Sequence, residues 1–381
     1  MLIAIDASRA AEPQKTGVGW YCVHLLRALQ SVIPNDVRVR LYSDRPLPPE
    51  LRQLPAHWEE RTLAWQVPLP SPGAGWRKRL PLWSQIRFAI QVLRDRPEVV
   101  FIPAHVIPDL LAVYRTQCHT APRIVTTVHD VAFRSHPHTY PARERWYADR
   151  ATRLALRAAD TVIVPTEAVR EEVMRYYGAF AARIAVIPHG VVTRPLGGEQ
   201  RCASRDPFLL YVGRRERKKN VARMVDAFSR IGAEFPQLRF VLVGPPGYGY
   251  EEGEQAMARS PVRDRILVHG WIPPEQYDVL RATADVLCFP TLAEGFGLPM
   301  LEAMAVGTPV LTSRGGAHEE VAGDAAELVN PWDVESIAHG LRHLLSSTAL
   351  RDVYRARGRL RASGYTWNRA ARATWDVLRA Y

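Results

Sequence analysis

Short runs of β-branched and other apolar residues, each about the length of one strand, recur along the first half of the chain. Several are apolar at almost every position, which is typical of strands buried on both faces of a parallel sheet. The six runs lie at residues 2–6, 37–43, 99–103, 123–130, 161–166 and 183–188. Stretches with helical spacing separate them, among them residues 20–31, 147–158 and 167–177. Strands that alternate with helices predict a doubly wound parallel sheet.

A second series of the same kind follows, with strands predicted at residues 208–213, 239–244, 265–270, 285–290 and 308–313. Between the two series, residues 188–207 are rich in Gly, Pro and mixed charge and have no apolar periodicity, which is typical of a connection between domains. The chain is therefore predicted to be an α/β protein of two domains, residues 1–190 and 191–365. We expect a cleft where the carboxyl ends of the two sheets face each other.

Residues 366–381 carry an apolar stripe. Trp367, Ala371, Trp375 and Leu378 follow each other at a spacing of three or four, which puts them on one face of a helix. Such a stripe has to be buried against another element. We therefore predict a C-terminal helix that packs on another part of the chain.

The composition narrows the class of protein. Of 381 residues, 47% are hydrophobic and 23% charged, which excludes a disordered, collagen-like or coiled-coil protein. The net charge of +11 indicates anionic partners, whether nucleic acid, membranes or phosphorylated small molecules. However, residues 201–250 hold 10 basic and 4 acidic residues, while residues 251–350 hold 6 and 15. Charge in such blocks favours separate anion sites, and we expect no nucleic acid as partner.

The cysteines and the N-terminus bear on location. Cys22, Cys118, Cys202 and Cys288 form no CxxC pair and no Cys/His cluster, so we expect reduced thiols and no metal site. The first residues lack the pattern of a secretory signal, and no window reaches the roughly 18 apolar residues that span a bilayer. We predict a cytoplasmic protein, at most peripheral to a membrane.

The stretch of residues 289–311 carries the most informative pattern. It leaves a strand, passes through a turn with Gly295 and Gly297, and enters a helix with Pro299 at the predicted first position. Unpaired N–H groups at a helix start bind anions such as a diphosphate. Glu294 and Glu302 bracket the turn, and Glu302, expected in the first helical turn, can accept two hydrogen bonds from a ribose diol. The alternative makes Glu302 a partner of the helix dipole and Glu294 a solvated residue.

A basic cluster, residues 214–219, follows the predicted strand at 208–213. Cations at the carboxyl end of a parallel strand can neutralise a leaving diphosphate. A solvated charge run and a nucleic-acid site are the alternatives. Farther upstream, Gly17 and Gly19 lie in a loop that opens a helix but lacks the full GxGxxG pattern, so it can also be a plain turn. His129 and His189 follow two strands whose ends should point into the cleft, although a lone histidine is usually structural.

In this order, the motifs resemble those of glycosyltransferase family 4, whose members have the GT-B fold of two Rossmann-like domains facing across a cleft. The E-x7-E signature matches Glu294 to Glu302, the basic pair matches Arg214 and Lys219, and the acceptor-domain histidine matches His129. The glycine loop matches residues 16–19, except that Thr16 replaces the first of the two glycines that are common there. The resemblance covers nearly the whole chain.

The resemblance implies a division of roles. The C-terminal domain would bind the nucleotide, the N-terminal domain would bind the acceptor, and the C-terminal helix would cross back onto the N-terminal domain. Glu302 would bind the ribose, Glu294 would contact the donor sugar, and His129 would lie near the transferred carbon. The implied catalytic residues are His129, Arg214, Lys219 and Glu294. The implied donor site comprises Gly17, Gly19, Arg214, Lys219, Gly295, Phe296, Gly297, Leu298 and Glu302.

The resemblance also implies retention of the anomeric configuration and no need for a metal or other cofactor. This fits a chain without a DxD motif, in which cationic side chains would replace the metal ion. The nucleotide base would be recognised near residues 267–277, largely through backbone atoms.

The acceptor side has a basic amphipathic segment at residues 76–96, with six basic residues against one acidic. Arg77, Lys78, Arg79 and Trp83 could rest on an anionic membrane and bring a lipid-linked sugar within reach. The alternative is a helix packed on the sheet with its basic side in water.

We therefore predict a retaining hexosyltransferase that uses a nucleotide sugar and a hydroxyl of a glycan or lipid-linked glycan, in the synthesis of a bacterial surface polysaccharide. GDP-mannose is the favoured donor and a UDP-glucose type of donor the second. An epimerase or phosphorylase of the same fold is the enzymatic alternative. A basic nucleic-acid-binding protein is the alternative without catalysis.

Overall fold

Two parallel β-sheets organise the computed structural model, which describes residues 1–63, 83–104, 106–118, 120–178, 183–192 and 206–380. Within these residues the first sheet consists of β1 (Leu2–Asp6), β2 (Arg38–Ser43), β3 (Trp58–Thr62), β4 (Val99–Ile102), β5 (Arg123–Thr127), β6 (Thr161–Val164) and β7 (Ile184–Val186). The strand order is β3-β2-β1-β4-β5-β6-β7, and all neighbours are parallel. In the register at the centre of the sheet, Ile3 lies opposite Val39 and Val99.

The second sheet consists, in the described residues, of β8 (Phe208–Val212), β9 (Arg239–Val243), β10 (Ile266–His269), β11 (Val286–Phe289), β12 (Val310–Ser313) and β13 (Glu327–Val329). Its order is β10-β9-β8-β11-β12-β13, again with parallel neighbours. The switch in order between β8 and β11 opens a crevice at the carboxyl ends of these strands. The prediction of an α/β protein with two doubly wound sheets is confirmed.

Helices connect the strands and cover both sheets. In the first half they are α1 (Gly17–Leu29), α2 (Ala89–Asp95), α3 (Asp109–Gln117), α4 (Ala132–Ser135), α5 (Ala142–Ala158) and α6 (Glu167–Tyr177). In the second half they are α7 (Val221–Ile231), α8 (Glu251–Arg259), α9 (Pro274–Thr283), α10 (Leu298–Val306), α11 (Gly316–Ala322), α12 (Val334–Ser346), α13 (Thr348–Ser363) and α14 (Trp367–Arg379). Short turns of 3-10 helix lie at Pro49–Leu51, Pro137–Thr139, Arg217–Lys219 and Arg263–Arg265, and a π-helical turn leads into α2 at Trp83–Phe88.

Two strands and several helix starts differ from the prediction. The pattern missed β3 because its sequence WEERT is polar and lies at the sheet edge. It missed β13, also an edge strand, because one of its three residues is a glutamate, so no apolar run marks it. Helix α5 begins five residues before the predicted start at Tyr147. Its first turns face water, so they carry no apolar periodicity.

The C-terminal helix α14 packs against α1. Its stripe of Trp367, Ala371, Trp375 and Leu378 is buried in the core beneath one face of the first sheet. Helix α13 covers α10 of the second sheet instead. The chain therefore crosses from the second sheet back to the first between α13 and α14. The domain boundary at residues 190 and 191 stays a prediction.

Part of the predicted acceptor surface lies outside the described residues. Arg77, Lys78 and Arg79 belong to this part, and of the Trp83 residue only the backbone is described. Most of the predicted connection, residues 193–205, also lies outside. No helix in the described part of the chain is both long and apolar enough to cross a bilayer.

Candidate active site

The turn of residues 294–297, here called the glycine turn, touches the end of β5 across the cleft. An added Cβ at Gly295 would lie 1.7 Å from the carbonyl oxygen of His129, so no larger residue fits there. Gly297 has a φ of 83°, a left-handed conformation that favours glycine, and forms the N-cap of α10. The turn is therefore held against His129 by backbone packing. This contact brings residues from the two predicted domains together.

The start of α10 differs from the prediction by one residue. The helix begins at Leu298, so Pro299 is its second residue and Glu302 its fifth, one turn inside the helix. The prediction of Glu302 in the first turn was wrong. The reason is that Gly297 takes the cap position, which moves the helix start ahead of the proline. Leu298 packs against both hydrophobic cores.

Two predicted catalytic residues, Lys219 and Glu294, form an ion pair. The Lys219 Nζ donates to Glu294 Oε1, and the side chains are only 14% and 13% exposed. The Lys219 ammonium also lies 5.7 Å from the ring centroid of Phe289. The pair is thus already neutralised, and a diphosphate that binds Lys219 would compete with Glu294.

Arg214 has a different environment in the same basic loop, residues 214–220, here called the cation loop. Its backbone carbonyl accepts a hydrogen bond from the Tyr211 hydroxyl at 3.0 Å, while its side chain is exposed. Among the described residues, its guanidinium forms no hydrogen bond or ion pair. Arg214 therefore keeps its donors for an anion in the cleft.

His129 is fixed by a backbone carbonyl and an aromatic ring. Its Nε2 lies 3.0 Å from the carbonyl oxygen of Pro103. Because a carbonyl only accepts, Nε2 carries the proton in this contact. The ring packs edge-on against Tyr21 of α1 at 4.8 Å between centroids, and the Tyr21 hydroxyl lies 3.2 Å from Thr127 Oγ1. The helix that begins with the glycine loop thus helps to orient His129.

Gly17 and Gly19 lie in the first turn of α1. A Cβ added at Gly17 would meet nothing within 4 Å, whereas one added at Gly19 would lie 3.1 Å from the carbonyl oxygen of Arg9. The structure describes neither of them in contact with the glycine turn or the cation loop. Their role in donor binding stays a prediction.

Glu302 is held by residues of α9. The Tyr277 hydroxyl donates to Glu302 Oε2 at 2.5 Å, and Arg281 Nη1 lies 3.8 Å from the same oxygen. Burial raises the pKa of Glu302 above its ordinary value, whereas Arg281 and the Tyr277 hydrogen bond act against that rise. The contacts described here leave Oε1 for a further donor, such as a sugar hydroxyl.

Two family models match almost the whole chain between them. The model described as glycosyltransferase family 4 matches residues 15–194, and the model described as glycosyl transferases group 1 matches residues 198–361. Together the two matches identify the chain as a glycosyltransferase that resembles family 4. The first match contains His129, and the second contains the cation loop and the glycine turn.

Relatives of this glycosyltransferase include the O-antigen chain mannosyltransferase B of Escherichia coli, which is 28% identical over 281 residues, 69% of this chain and 71% of that protein. The D-inositol 3-phosphate glycosyltransferase of Kineococcus radiotolerans is 35% identical over 254 residues. That alignment covers 58% of this chain and 57% of the relative. This chain therefore matches little more than half the length of the second relative.

A solved structure supports the GT-B fold. The sucrose-phosphate synthase of Thermosynechococcus elongatus superposes with a TM-score of 0.77, covering 99% of this chain and 98% of its own. At 22% sequence identity, the likeness shows the fold and not the substrate.

Lys218 is the first site residue of this glycosyltransferase that the sequence analysis missed. Its ammonium donates to the Tyr140 hydroxyl at 3.0 Å and lies 3.6 Å from Asp130 Oδ2 and 3.8 Å from Glu216 Oε1. Burial lowers the pKa of Lys218, but Asp130, Tyr140 and Glu216 outweigh it and raise that pKa well above its ordinary value. Lys218 thus stays charged and links the cation loop to the residue after His129. The basic cluster contained it, but nothing in the spacing distinguished it from its neighbours.

A second unpredicted contact joins α11 to α6. Glu320 accepts hydrogen bonds from the backbone N–H groups of Glu167 and Ala168, each at 2.8 Å, at the start of α6. Beside it, the Thr166 hydroxyl donates to the Gly295 carbonyl at 3.0 Å. The glycine turn is therefore held from the first domain by His129 on one side and Thr166 on the other.

The other histidine expected at a strand end, His189, is a packing residue. Its ring lies 4.4 Å from that of Tyr21 and 4.7 Å from that of Phe296, and it is buried. Burial lowers its pKa well below the ordinary value, so the imidazole is neutral. Phe296 is only 4% exposed, which leaves its backbone rather than its side chain for a donor.

A cavity of about 240 Å³ is lined in part by the cation loop. It is lined by residues that include His138, Arg217 and Trp332. Arg217 pairs there with Glu252 at 2.6 Å. Because Glu302 is not among its lining residues, we do not assign this cavity to the nucleotide. Within the described ranges, no three His, Cys, Asp or Glu residues are grouped so that they could hold a metal ion.

Proposed function

We propose that this glycosyltransferase transfers a hexose, with retention of configuration, from a nucleoside diphosphate to a hydroxyl of a glycan or lipid-linked glycan. The observation that carries the proposal is the backbone contact between Gly295 and His129. It brings the Lys219–Glu294 pair and the predicted acceptor-side histidine to the same point of the cleft. A donor bound along α10 would therefore present its sugar between the two domains.

The roles of the side chains follow from their charges. Glu302 accepts hydrogen bonds from the ribose, and Arg214 and Lys219 contact the diphosphate. As the acceptor oxygen bonds to the anomeric carbon, the bond to the diphosphate breaks and its electron pair leaves with the phosphate oxygen, which takes up the proton of the acceptor hydroxyl. Cations held next to the leaving group stabilise this charge as it develops. Glu294 binds hydroxyls of the sugar, His129 lies beside the anomeric carbon, and no metal or other cofactor takes part.

GDP-mannose is the proposed donor, and the O-antigen mannosyltransferase relative supports both this sugar and a surface-polysaccharide acceptor. The D-inositol 3-phosphate glycosyltransferase relative favours a second candidate acceptor, a phosphorylated polyol. The two acceptors differ in size and charge. Product analysis with a lipid-linked glycan and with an inositol phosphate separates them.

The enzyme is proposed to act in the cytoplasm, at the inner face of the membrane. Helix α2 with its π-helical turn buries Phe88 and Val92 but exposes Ile86 and Ile90. Exposed apolar residues within the basic segment at residues 76–96 suit a shallow contact with anionic lipid. The proposal requires salt-sensitive binding to vesicles that contain anionic lipid, and it fails if charge reversal at Arg77, Lys78 and Arg79 leaves that binding unchanged.

The decisive experiment is a thermal-shift screen with GDP, UDP, ADP and their sugars, followed by product analysis with and without acceptor. We expect stabilisation by one nucleotide and sugar transfer that depends on the acceptor. A changed sugar released without acceptor would indicate an epimerase. Retardation of RNA or DNA at physiological salt, with no response to any nucleotide sugar, would indicate the nucleic-acid-binding alternative.

A further inference from the structure

We infer that Tyr277 and Arg281, on α9, are positioning residues that hold one carboxylate oxygen of Glu302 and leave the other to the ribose. This inference rests on the proposed role of Glu302 in binding the nucleotide. The two residues lie 25 and 21 positions before Glu302 and on another helix. Because the packing of α9 on α10 brings them together, no local motif in the sequence reveals them.

The geometry separates the two carboxylate oxygens. Tyr277 and Arg281 both approach Oε2, at 2.5 Å and 3.8 Å, and no hydrogen bond of the described residues reaches Oε1. The Glu302 side chain is 26% exposed, whereas that of Arg281 is 6% exposed. The protein thus occupies the oxygen on the α9 side and leaves the other one for a ligand.

Arg281 is itself held in place by its neighbours. Its Nη2 pairs with Asp278 at 2.8 Å, and its guanidinium lies 5.2 Å from the ring centroid of Tyr277. The Thr308 hydroxyl donates to its backbone carbonyl. Arg281 therefore shares its charge between Asp278 and Glu302, and Tyr277 supplies the only close hydrogen bond that Glu302 has among the described contacts.

The Tyr277 hydroxyl is a dependable donor. Burial and the nearby Glu302 carboxylate raise the pKa of Tyr277 well above its ordinary value, so the hydroxyl keeps its proton. A hydrogen bond donated to a carboxylate favours the charged form and lowers the carboxyl pKa. Burial raises the pKa of Glu302, and the Tyr277 hydrogen bond counteracts that effect. Removal of the hydroxyl should therefore raise the pKa of Glu302 further.

Other charged groups on the helices packed against α10 face different partners. On α13, Arg359 and Arg361 donate to backbone carbonyls, Tyr354 donates to Glu327, and Arg355 and Arg357 pair with Asp352 and Asp324. On α11, His318 contacts Thr291, and Glu319 and Glu320 accept backbone hydrogen bonds. The groups that face Glu302 are therefore Tyr277, Asp278 and Arg281.

The test is calorimetric titration of the enzyme with GDP and with UDP between about pH 5 and pH 8.5. Wild-type affinity should fall toward acid pH as Glu302 takes up a proton and loses an acceptor for the ribose. In Tyr277→Phe the same fall should begin at higher pH, with affinity lower by roughly tenfold on the acid side and by much less on the alkaline side. The matched control is Tyr354→Phe, which removes a comparable Tyr–Glu hydrogen bond, 3.0 Å long, from the same domain.

The outcomes distinguish this inference from the proposed function. A Tyr277→Phe profile that coincides with the wild type, or that is displaced equally at every pH, overturns the positioning role. Binding of neither nucleotide by the wild type, or wild-type binding by Glu302→Gln, overturns the proposed nucleotide site itself. Because Phe retains the ring packed on Arg281, thermal unfolding without ligand should match that of the Tyr354→Phe control.

Discussion

Glu294 and Glu302, the two carboxylates of one motif, lie in opposite environments. Glu294 is neutralised by a direct ion pair with Lys219, whereas Glu302 is bound by the neutral Tyr277 hydroxyl and by a more distant arginine. Both are largely shielded from water. The protein thus neutralises Glu294 with its own cation, whereas one oxygen of Glu302 has no hydrogen bond among the described residues.

The difference has a consequence for ligand binding. If the diphosphate binds Lys219 as proposed, it has to compete with Glu294, so binding there exchanges one ion pair for another. A ribose bound at Glu302 as proposed would add hydrogen bonds without displacing any described contact. On the proposed function, most nucleotide affinity therefore comes from the Glu302 end, and the Glu294 end acts mainly in the transfer step.

The largest expected effect comes from Gly295→Ala, which should affect the Glu294 end of the site and spare the Glu302 end. The added methyl group cannot fit against the His129 carbonyl, so the glycine turn has to move away from β5. A displacement of about 1 Å at a reacting centre costs on the order of a hundredfold in rate. We expect kcat to fall by that amount while GDP or UDP affinity, which depends on Glu302, changes by less than about threefold.

Steady-state kinetics and calorimetry on the same preparation check this prediction. The matched control is Gly364→Ala at the end of α13, where an added Cβ has only ordinary contact with the Arg361 carbonyl at 3.4 Å. Unchanged turnover in Gly295→Ala would mean that the contact between the two domains is not needed for transfer.

The sequence predicted the Glu294 end of the site better than the Glu302 end. Lys219 and Glu294 could each be picked out because both follow carboxyl ends of parallel strands, which meet at one edge of a sheet, although the ion pair between them was not predicted. The glycine turn was accessible because its glycines and proline mark a helix start. Tyr277 and Arg281 were not, because their contact with Glu302 depends on how α9 packs on α10.

The fold shows the same division. Strands that are apolar on both faces, such as Val99–Ile102, were predicted nearly to the residue. The polar edge strand Trp58–Thr62 was not, because its stability comes from pairing with β2 rather than from its own pattern. Contacts across the cleft, such as that of Glu320 with the start of α6, correspond to no repeating pattern of residues in the sequence. Side chains whose partners lie far away in the chain are the part that sequence alone cannot supply.

Glu302→Gln should give the second largest effect, on binding rather than on turnover. The amide is nearly isosteric, but it carries no charge to strengthen hydrogen bonds from the ribose. Hydrogen bonds to a charged group contribute about 1.5–3 kcal/mol, so GDP or UDP affinity should fall by at least about tenfold. Calorimetry at pH 8 checks it. Equal losses of affinity in Glu302→Gln and Glu294→Gln would remove the distinction between the two ends.

Glu294→Gln should give the smallest effect on affinity, and one of the opposite sign. Without its carboxylate, Lys219 is no longer neutralised and can bind a diphosphate without breaking an ion pair. A partly shielded ion pair of this kind contributes up to about 1 kcal/mol, so GDP or UDP should bind about two- to fivefold more tightly.

The gain should shrink at high salt, because screening weakens the attraction between Lys219 and the diphosphate. Turnover should fall, because the amide replaces one of the two carboxylate oxygens that can accept hydrogen bonds from the donor sugar. Calorimetry at two salt concentrations, with Glu335→Gln on the exposed surface of α12 as control, decides the sign. Weaker binding by Glu294→Gln would show that Glu294 contributes to holding the nucleotide in place.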